Sequence, residues 1–334
     1  MQTVVFDADV LGRRRTGDET HVASLLRALG GLASALRIVA VTRRPDLVPD
    51  GIEPYRLDAR LQEVRMAVWV PLVLRRLRPA LVHFQHVLPP FTRVPGVVTV
   101  HDLSFVRDPA LMGRFDRLLF TTLVPRSVRR ARRVLTVSER TRRDLEELYA
   151  VPHEKIVVTP NGVDPRFVPN GGSHDYLLFV GAVQARKDPL AALEAAREVG
   201  LRLVAVGPEK DAALARALRA GGADVRGYVG DDELARLYRG AAALVFPSRF
   251  EGFGLPVLEA LASGTPVVAT PDAAVREVAG DAAVYAPREK LGAAVRSALA
   301  DRERLAAAGL ERARAFTWES AARRTLAVYE ELLA

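Results

Sequence analysis

Short apolar runs alternate with helix-like segments along almost the whole of this chain. The runs have the length of a buried β-strand, and the segments between them repeat apolar residues at helical spacing. Parallel strands need a crossover between them, usually a helix, so this alternation is typical of α/β proteins. The sequence therefore predicts an α/β protein built on parallel sheets.

The length of the chain predicts two domains, since 334 residues exceed the usual size of a single hydrophobic core. Proline, asparagine and glycine cluster at residues 160–165, where a turn is expected, and residues 170–173 continue as a linker. We therefore predict a first domain of residues 1–168, a second domain of residues 169–316 and a C-terminal helix at residues 317–334.

Composition excludes several classes of protein. The chain has no cysteine, so it has neither a disulfide framework nor thiolate chemistry. No run of eighteen uncharged apolar residues is present, so we expect no membrane span. The N-terminus enters a strand pattern directly, so we expect no signal peptide. A cytoplasmic location is expected, with peripheral contact at the inner face of the membrane as an open alternative.

Positive charge is concentrated in the first half of the chain. Residues 1–165 hold 26 Lys and Arg against 18 Asp and Glu, whereas residues 166–334 hold 22 of each. Residues 107–143 alone hold 11 arginines against three acidic residues. Such a patch attracts nucleic acid, anionic lipid or a phosphorylated substrate. No nucleic-acid partner is expected, because the sequence has no recognition helix, stacking aromatic strand or zinc module.

The most informative stretch is residues 249–264, where Glu251 and Glu259 stand eight positions apart with two glycines and a proline between them. An apolar run precedes the stretch, which predicts a strand, a tight glycine loop and a short helix. Glycine amides before a helix N-terminus attract oxyanions, and carboxylates accept hydrogen bonds from hydroxyls. Each glutamate alone is explained by an ordinary surface role, but the whole stretch predicts a phosphorylated sugar ligand.

A second candidate site is the pair Arg186 and Lys187, which follows a predicted strand. Asp188 is expected to cap the next helix, with Pro189 in its first turn. Two cations just ahead of a helix N-terminus suit a diphosphate, although a solvated basic pair is also common on surfaces.

His101 directly follows the predicted strand at residues 97–100. Ligands of open parallel sheets bind outside the carboxyl ends of the strands, so this histidine is placed for chemistry. His83 and His86 have neither a cysteine nor a nearby carboxylate in the sequence, so a zinc site is not expected. No cluster of carboxylates indicates a required divalent ion, and no metal or other cofactor is expected.

The stretch at residues 249–264 resembles the signature of retaining glycosyltransferases of the GT-B class, specifically family four, also called glycosyltransferase group 1, in which mannosyltransferases are found. The motif of that family is two glutamates separated by seven residues. The resemblance implies two Rossmann-like domains facing each other across a cleft, with the donor mostly on the second domain and the acceptor mostly on the first. It also implies that the last helix, which begins at Trp318, crosses back onto the first domain.

The resemblance implies a role for each matching residue. Glu251 would contact the donor sugar and Glu259 the ribose hydroxyls, while Arg186 and Lys187 would hold the diphosphate. His101 would face the sugar near the reacting carbon. The other implied donor contacts are the amides of Gly252, Phe253, Gly254 and Leu255, the base-binding Val229, and Gly17 and Gly181. The sequence departs from the family pattern at Asp188 and at the acidic residues after Gly17, Asp18 and Glu19.

The implied reaction moves a hexose from a nucleotide-diphosphate sugar to an acceptor hydroxyl and keeps the anomeric configuration. Neither a protein nucleophile nor a metal is required in that reaction. The acceptor would be a glycan, a glycolipid or a small molecule, and the arginine patch suggests an anionic one. Two alternatives stay open: a GT-B-fold epimerase or hydrolase of nucleotide sugars, and a non-catalytic binder of nucleic acid or membrane surfaces.

Overall fold

The computed structural model describes residues 1–13, 16–59, 64–90, 92–107 and 114–334. The chain forms two compact units. The first unit consists of Met1–Gly162 together with Trp318–Ala334, and the second is Val163–Thr317. The division lies a few residues before the predicted boundary at residue 168, and the C-terminal helix is part of the first unit.

In the first unit, strands alternate with helices as the sequence pattern predicts. The elements are β1 (Thr3–Asp7), α1 (Thr16–Gly30), β2 (Arg37–Thr42), β3 (Glu53–Arg56), α2 (Val70–Leu77), β4 (Leu81–Gln85), β5 (Gly96–Val100), α3 (Ser104–Arg107), α4 (Arg114–Arg130), β6 (Arg133–Thr136), α5 (Glu139–Tyr149) and β7 (Ile156–Val158).

The seven strands of the first unit form one parallel sheet in the order β3-β2-β1-β4-β5-β6-β7. Side chains of α2, α4 and α5 share one buried cluster with the inner strands, so these three helices cover the same face of the sheet. Because all strands run the same way, the sheet has one carboxyl edge, where strands end, and one amino edge, where they begin. The strand order reverses between β1 and β4, which is where such sheets place a ligand.

The second unit repeats this construction. Its elements are β8 (Tyr176–Val180), α6 (Pro189–Glu198), β9 (Arg202–Val206), α7 (Ala212–Ala220), β10 (Asp224–Gly227), α8 (Asp231–Gly240), β11 (Ala243–Phe246), α9 (Leu255–Ala262), β12 (Val267–Ala269), α10 (Ala273–Ala279), β13 (Ala283–Tyr285), α11 (Leu291–Ala300) and α12 (Arg302–Ala313). Helix α13 (Trp318–Leu333) then belongs to the first unit and packs on α1.

The six strands of the second unit form a parallel sheet in the order β10-β9-β8-β11-β12-β13. Here the order reverses between β8 and β11, so the loops that follow these two strands lie side by side at the carboxyl edge. These are the loops that carry Arg186, Lys187 and Glu251. The predicted α/β class with parallel sheets is confirmed in both units.

Two predicted helices differ from the structure at their starts. The sequence predicts a glycine loop at residues 11–20 and a helix from His21 to Leu29, with Asp18 and Glu19 as helix N-terminal residues in the alternative. In the structure α1 already begins at Thr16, with Asp18 and Glu19 in its first turn, where acidic side chains favour a helix. The apolar residues at positions 61–77 predict a second helix with a kink at Pro71, and residues 61–63 lie outside the described residues. Its described part contains a π-helical turn at Arg65–Trp69 before α2. Pro71 lies two residues after this turn, and a proline inside a helix removes one backbone donor.

Among the described residues, no helix combines the length and the apolar character that a crossing of the bilayer requires.

Candidate active site

The loops after β8 and β11 are tied together by the basic pair and Glu251. Lys187 Nζ donates to Glu251 Oε1, and Arg186 Nη1 donates to the carbonyl oxygen of Phe250. Arg186 Nη1 also lies 3.8 Å from Glu251 Oε2. In the other direction, the amide of Arg249 donates to Arg186 O at 3.0 Å. The structure therefore brings together cations and a carboxylate that are 64 residues apart in sequence.

The charged groups of this pairing are largely buried, which raises the energetic cost of separating them. The side chain of Glu251 is 8% exposed, and those of Lys187 and Arg186 are 12% and 14% exposed. A buried charge is costly unless an opposite charge and hydrogen bonds compensate for it. Removing one partner would leave the other uncompensated, so the site is sensitive to substitution. A ligand that offers both an anion and hydroxyl groups could replace these internal contacts.

The glycine loop ahead of α9 presents free backbone donors. Gly254 has φ of +103°, a left-handed conformation that favours glycine, and α9 begins at the next residue. Within the described part of the chain, no hydrogen-bond partner is found for the amides of Phe253, Gly254 and Leu255. Unpaired amides at a helix N-terminus, together with the helix dipole, make an anion site.

Glu259 lies one helical turn beyond Leu255 and is buried on α9. The hydroxyl of Tyr238 on α8 donates to Glu259 Oε2 at 2.8 Å. Burial raises the pKa of Glu259 to about 8, although the Tyr238 bond works against the rise; the negative charges of Asp231 and Asp164 add to it. The carboxyl group is therefore largely protonated at neutral pH in the absence of a ligand.

In the first unit, His101 is a buried histidine at the carboxyl edge, just after β5. Its Nε2 lies 2.9 Å from Gln85 Oε1, and its ring packs on His21 and His86, with centroids 4.6 and 5.3 Å apart. Burial, and then the neighbouring histidines, hold the pKa of His101 well below its usual range. The imidazole is therefore neutral. In the tautomer that donates from Nε2 to the Gln85 oxygen, Nδ1 is an acceptor.

The expectation that His86 has no carboxylate neighbour is wrong. Because α1 begins early, Asp18 in its first turn comes close to His86 and His101, and one ligand atom of each lies within 4.8 Å of the others. Zinc ligands lie about 2.0–2.2 Å from the metal, so two of them are at most about 4.4 Å apart. The three side chains thus lie near the spacing that a divalent cation requires.

Comparison with known proteins identifies the family. Residues 15–167 match the model of Glycosyltransferase Family 4, and residues 174–301 match that of Glycosyl transferases group 1. The O-antigen chain mannosyltransferase B of Escherichia coli is 30% identical over 328 residues, which cover 89% of this chain and 83% of that protein. The chain belongs to the group 1, family 4 glycosyltransferases.

The glycosyltransferase also shares its fold with solved structures over its full length. Sucrose-phosphate synthase from Thermosynechococcus elongatus has a TM-score of 0.81 at 19% identity and covers 100% of this chain and 99% of its own. HepE of Anabaena in complex with UDP-glucose has a TM-score of 0.75 at 13% identity, with coverage of 99% and 100%. These neighbours confirm the predicted GT-B fold.

The remaining predicted donor contacts of the glycosyltransferase are Gly17, Gly181, Gly252 and Val229, and their surroundings are less specific than those of the charged residues. Gly17 lies in the first turn of α1, and a Cβ there would meet nothing within 4 Å, so the backbone does not require glycine. Gly181 follows β8 with φ of +156°, and a Cβ there would lie 3.7 Å from Lys187 Cδ. Gly252 is buried beside Glu251, and Val229 is half-buried between β10 and α8.

Sequence reasoning missed three residues that contact the site: Arg288, Tyr238 and Asp272. Asp188 occupies the expected cap position but makes no capping hydrogen bond; its carboxylate accepts from Arg288 Nε at 2.9 Å. Tyr238 looks like an ordinary core residue of α8, and only the fold brings it to Glu259. Asp272 caps α10 and also accepts from the Glu251 amide at 3.3 Å. Its place before an Ala-Ala-Val run was a usable capping signal.

Proposed function

We propose that this glycosyltransferase transfers a hexose from a nucleotide-diphosphate sugar to an acceptor hydroxyl with retention of the anomeric configuration. Mannose is the proposed sugar, in glycan or glycolipid synthesis, because the Escherichia coli relative is an O-antigen mannosyltransferase. The donor class is supported by the complex of HepE with UDP-glucose.

The observation that carries the proposal is the Lys187–Glu251 pair beside the unpaired amides at the start of α9. When a diphosphate occupies those amides, Lys187 and Arg186 are close enough to share its charge. Glu251, released from part of its pairing with Lys187, can then accept hydrogen bonds from sugar hydroxyls. The cations and amides stabilise the departing diphosphate as its charge grows, and fixed donors of this kind supply a large part of enzymatic rate enhancement.

Glu259 and His101 complete the proposal through hydrogen bonds. We assign Glu259 to the ribose hydroxyls, where the ionised carboxylate makes stronger bonds than the protonated form. We assign His101 to the sugar, because a neutral imidazole with a free Nδ1 acceptor can bond a hydroxyl. The acceptor oxygen would form its bond to the anomeric carbon on the face from which the phosphate leaves. Its proton would go to the leaving phosphate, so no protein nucleophile and no metal enter the scheme.

The test begins with thermal stability in the presence of UDP-, GDP-, ADP- and dTDP-sugars. A ligand at one hundred times its Kd adds about 2.7 kcal/mol to the free energy of unfolding, which gives a clear rise in Tm. The donor found in this way is then incubated with candidate acceptors, and the anomeric configuration of the product is read by NMR. An inverted product would contradict the retaining mechanism. Release of free sugar or an epimerised nucleotide sugar without acceptor would favour the hydrolase or epimerase alternative.

A further inference from the structure

Two histidines stand next to each other at the carboxyl edge of the first sheet. His86 follows β4 and His101 follows β5, and these two strands are neighbours. The ring centroids are 5.3 Å apart. The amide of His86 donates to the carbonyl oxygen of Thr99 at 2.8 Å, and the hydroxyl of Thr141 donates to the carbonyl oxygen of His101 at 3.1 Å. The backbone of both histidines is therefore held in place by the fold.

The backbone conformation of His86 is uncommon for a histidine. Its φ is +58°, in the left-handed region that glycine and asparagine enter more readily. The backbone therefore gives no reason for a histidine at this position. Residues held in such conformations cluster at binding and catalytic sites, where the surrounding structure compensates for the strain.

The ring of His86 carries a nitrogen that the protein leaves unsatisfied. Its Nδ1 is buried and has no hydrogen-bond partner among the described residues. The buried His83 shows the ordinary arrangement, because the hydroxyls of Tyr329 and Thr99 bond its two ring nitrogens. A buried polar atom without a partner calls for an explanation, and a bound ion is one such explanation.

His101 is held in the way that metal-binding histidines are held. Its Nε2 lies 2.9 Å from Gln85 Oε1. In the tautomer that donates to this oxygen, Nδ1 keeps the lone pair that a metal needs. Histidines that bind metals almost always donate their other ring N–H to an oxygen, which fixes the tautomer and the orientation of the ring. Gln85 therefore supplies the outer contact of a metal site.

The carboxylate of Asp18 completes a group of three ligands in the first unit. One ligand atom each of Asp18, His86 and His101 lies within 4.8 Å of the others. The helix dipole of α1 by itself favours an acidic residue at this position. However, no hydrogen bond or ion pair is found for the Asp18 carboxylate in the part of the chain that the structure describes, whereas Glu19 accepts from the Gly12 amide at 2.6 Å. Asp18 is exposed, so its side chain can turn towards the histidines.

The types of ligand in this group select a class of ion. Two imidazoles and a carboxylate suit zinc and similar divalent transition metals, whereas Mg²⁺ and Ca²⁺ take mainly oxygen ligands. Three protein ligands leave the fourth position of a tetrahedral site to water. The chain has no cysteine, so no thiolate competes for the ion.

We propose that Asp18, His86 and His101 bind a divalent ion of the zinc class, and that this ion inhibits sugar transfer. A metal bound to Nδ1 of His101 occupies the lone pair that would accept a hydrogen bond from the sugar. The ion and the donor therefore compete for His101, and each weakens the binding of the other by the same factor. The ion site is independent of the transfer reaction, whereas the inhibition rests on the proposed function.

Zinc binding is measured on the full chain after treatment with EDTA, by competition with a chromophoric zinc indicator. The wild type is expected to bind one equivalent. Loss of an outer contact typically costs roughly ten- to a hundredfold in metal affinity, so Gln85→Met should bind zinc about tenfold more weakly. Loss of a ligand in His86→Asn or Asp18→Asn should cost about tenfold or more. An equal concentration of Mg²⁺ should not displace the zinc.

The matched control is His174→Asn. His174 is an exposed histidine of the second unit with φ of +55°, so the same substitution is made in the same backbone conformation. Asparagine tolerates this conformation, so His86→Asn is expected to fold, and Asp18→Asn changes an exposed side chain in another segment. Melting curves check both. A wild type that binds no zinc would overturn the site, as would binding in His86→Asn and Asp18→Asn that is as tight as in His174→Asn.

Inhibition is read as the zinc concentration that halves turnover with the donor found by thermal shift. This concentration should rise with the donor concentration in the wild type, and should be about tenfold or more higher in His86→Asn than in His174→Asn. Zinc that binds at the site and leaves turnover unchanged would overturn the inhibition, and so would a loss of turnover in EDTA that zinc restores. If no donor gives turnover, the proposed function and the inhibition fail together, while the indicator still decides the site.

Discussion

Lys187 Nζ donates a hydrogen bond to Glu251 Oε1, and this contact joins the loops after β8 and β11 at the point where the strand order reverses. Both side chains are nearly buried, and each compensates part of the charge of the other. The pair is thus a structural contact in the free protein. In the proposed mechanism the donor separates it in part: Lys187 binds the diphosphate, and Glu251 binds the sugar hydroxyls.

Replacing Lys187 by alanine is expected to lower turnover at least tenfold, about 1.4 kcal/mol or more of transition-state stabilisation, because the departing diphosphate loses a cation. Steady-state kinetics with the donor found by thermal shift measures the effect. Lys290→Ala is the matched control, since Lys290 is an exposed lysine of the same unit. Near-normal turnover of Lys187→Ala would remove this residue from the site.

The pairing with Glu251 predicts a separable effect on stability. Lys187→Ala leaves a buried carboxylate with Arg186 at 3.8 Å as its remaining cation, so we expect a loss of about 2–3 kcal/mol in the free energy of unfolding. Adding Glu251→Gln removes the uncompensated charge and should restore part of that loss without restoring turnover. Urea titration of both variants measures this. Equal stability of the single and double variants would mean that the pair is not coupled.

Glu259 predicts a pH dependence of stability. Its pKa is about 8 in the folded protein against an ordinary value of 4.5, so the folded state keeps a proton that the unfolded chain releases. The stabilisation is full below about pH 4.5 and is lost as the pH rises through about 8. Glu259→Gln cannot ionise, so its stability relative to wild type should rise by about 3 kcal/mol or more between pH 5 and pH 8. Melting curves across this range provide the measurement; parallel curves would rule out the raised pKa.

The same group predicts how donor binding changes with pH. If the ribose hydroxyls need the ionised carboxylate, binding below pH 8 includes a deprotonation that costs about 1.4 kcal/mol per pH unit. Affinity for the nucleotide sugar, measured by calorimetry, should therefore rise roughly fifteenfold from pH 6.5 to 8. Glu259→Ala should bind without this trend and lose at least tenfold in turnover. A wild-type affinity that stays level over this range would show that the protonated form binds equally well.

Metal removal tests the proposal that the transfer reaction needs no metal ion. Dialysis against EDTA is expected to leave turnover within about twofold of the untreated enzyme. If turnover is lost and Zn²⁺ or Mn²⁺ restores it, the metal site to test is the group of Asp18, His86 and His101. His86→Asn would then abolish the response to metal, while a distant His153→Asn would not.

Much of the candidate site could be predicted because its signals are local. The glycine before α9, with φ of +103°, and the proline in its first turn fix a strand-loop-helix within a few residues. The position of His101 follows from the end of a single apolar strand. These features depend on backbone conformation and hydrophobic periodicity, which neighbouring residues decide.

Other parts of the site could not be predicted, because they depend on which distant segments pack together. The bond from Tyr238 to Glu259 joins two helices, and the approach of Asp18 to His86 depends on where α1 begins. The helix was predicted from His21, with Asp18 and Glu19 at its N-terminus as the alternative, because the polar run ahead of His21 resembles a loop; the structure has the earlier start. Asp188 was expected to cap its own helix, but Arg288, a hundred residues away, binds its carboxylate.

The sequence by itself determined the alternation of strands and helices, the two-domain organisation and the glutamate motif that indicates a glycosyltransferase. The strand order, which only the tertiary structure decided, brings Lys187 to Glu251 and places His86 and His101, which follow the neighbouring strands β4 and β5, at one edge. The physical reason is that periodicity along the chain specifies which residues are buried, whereas the neighbours of each strand are chosen by packing between segments that are far apart in sequence.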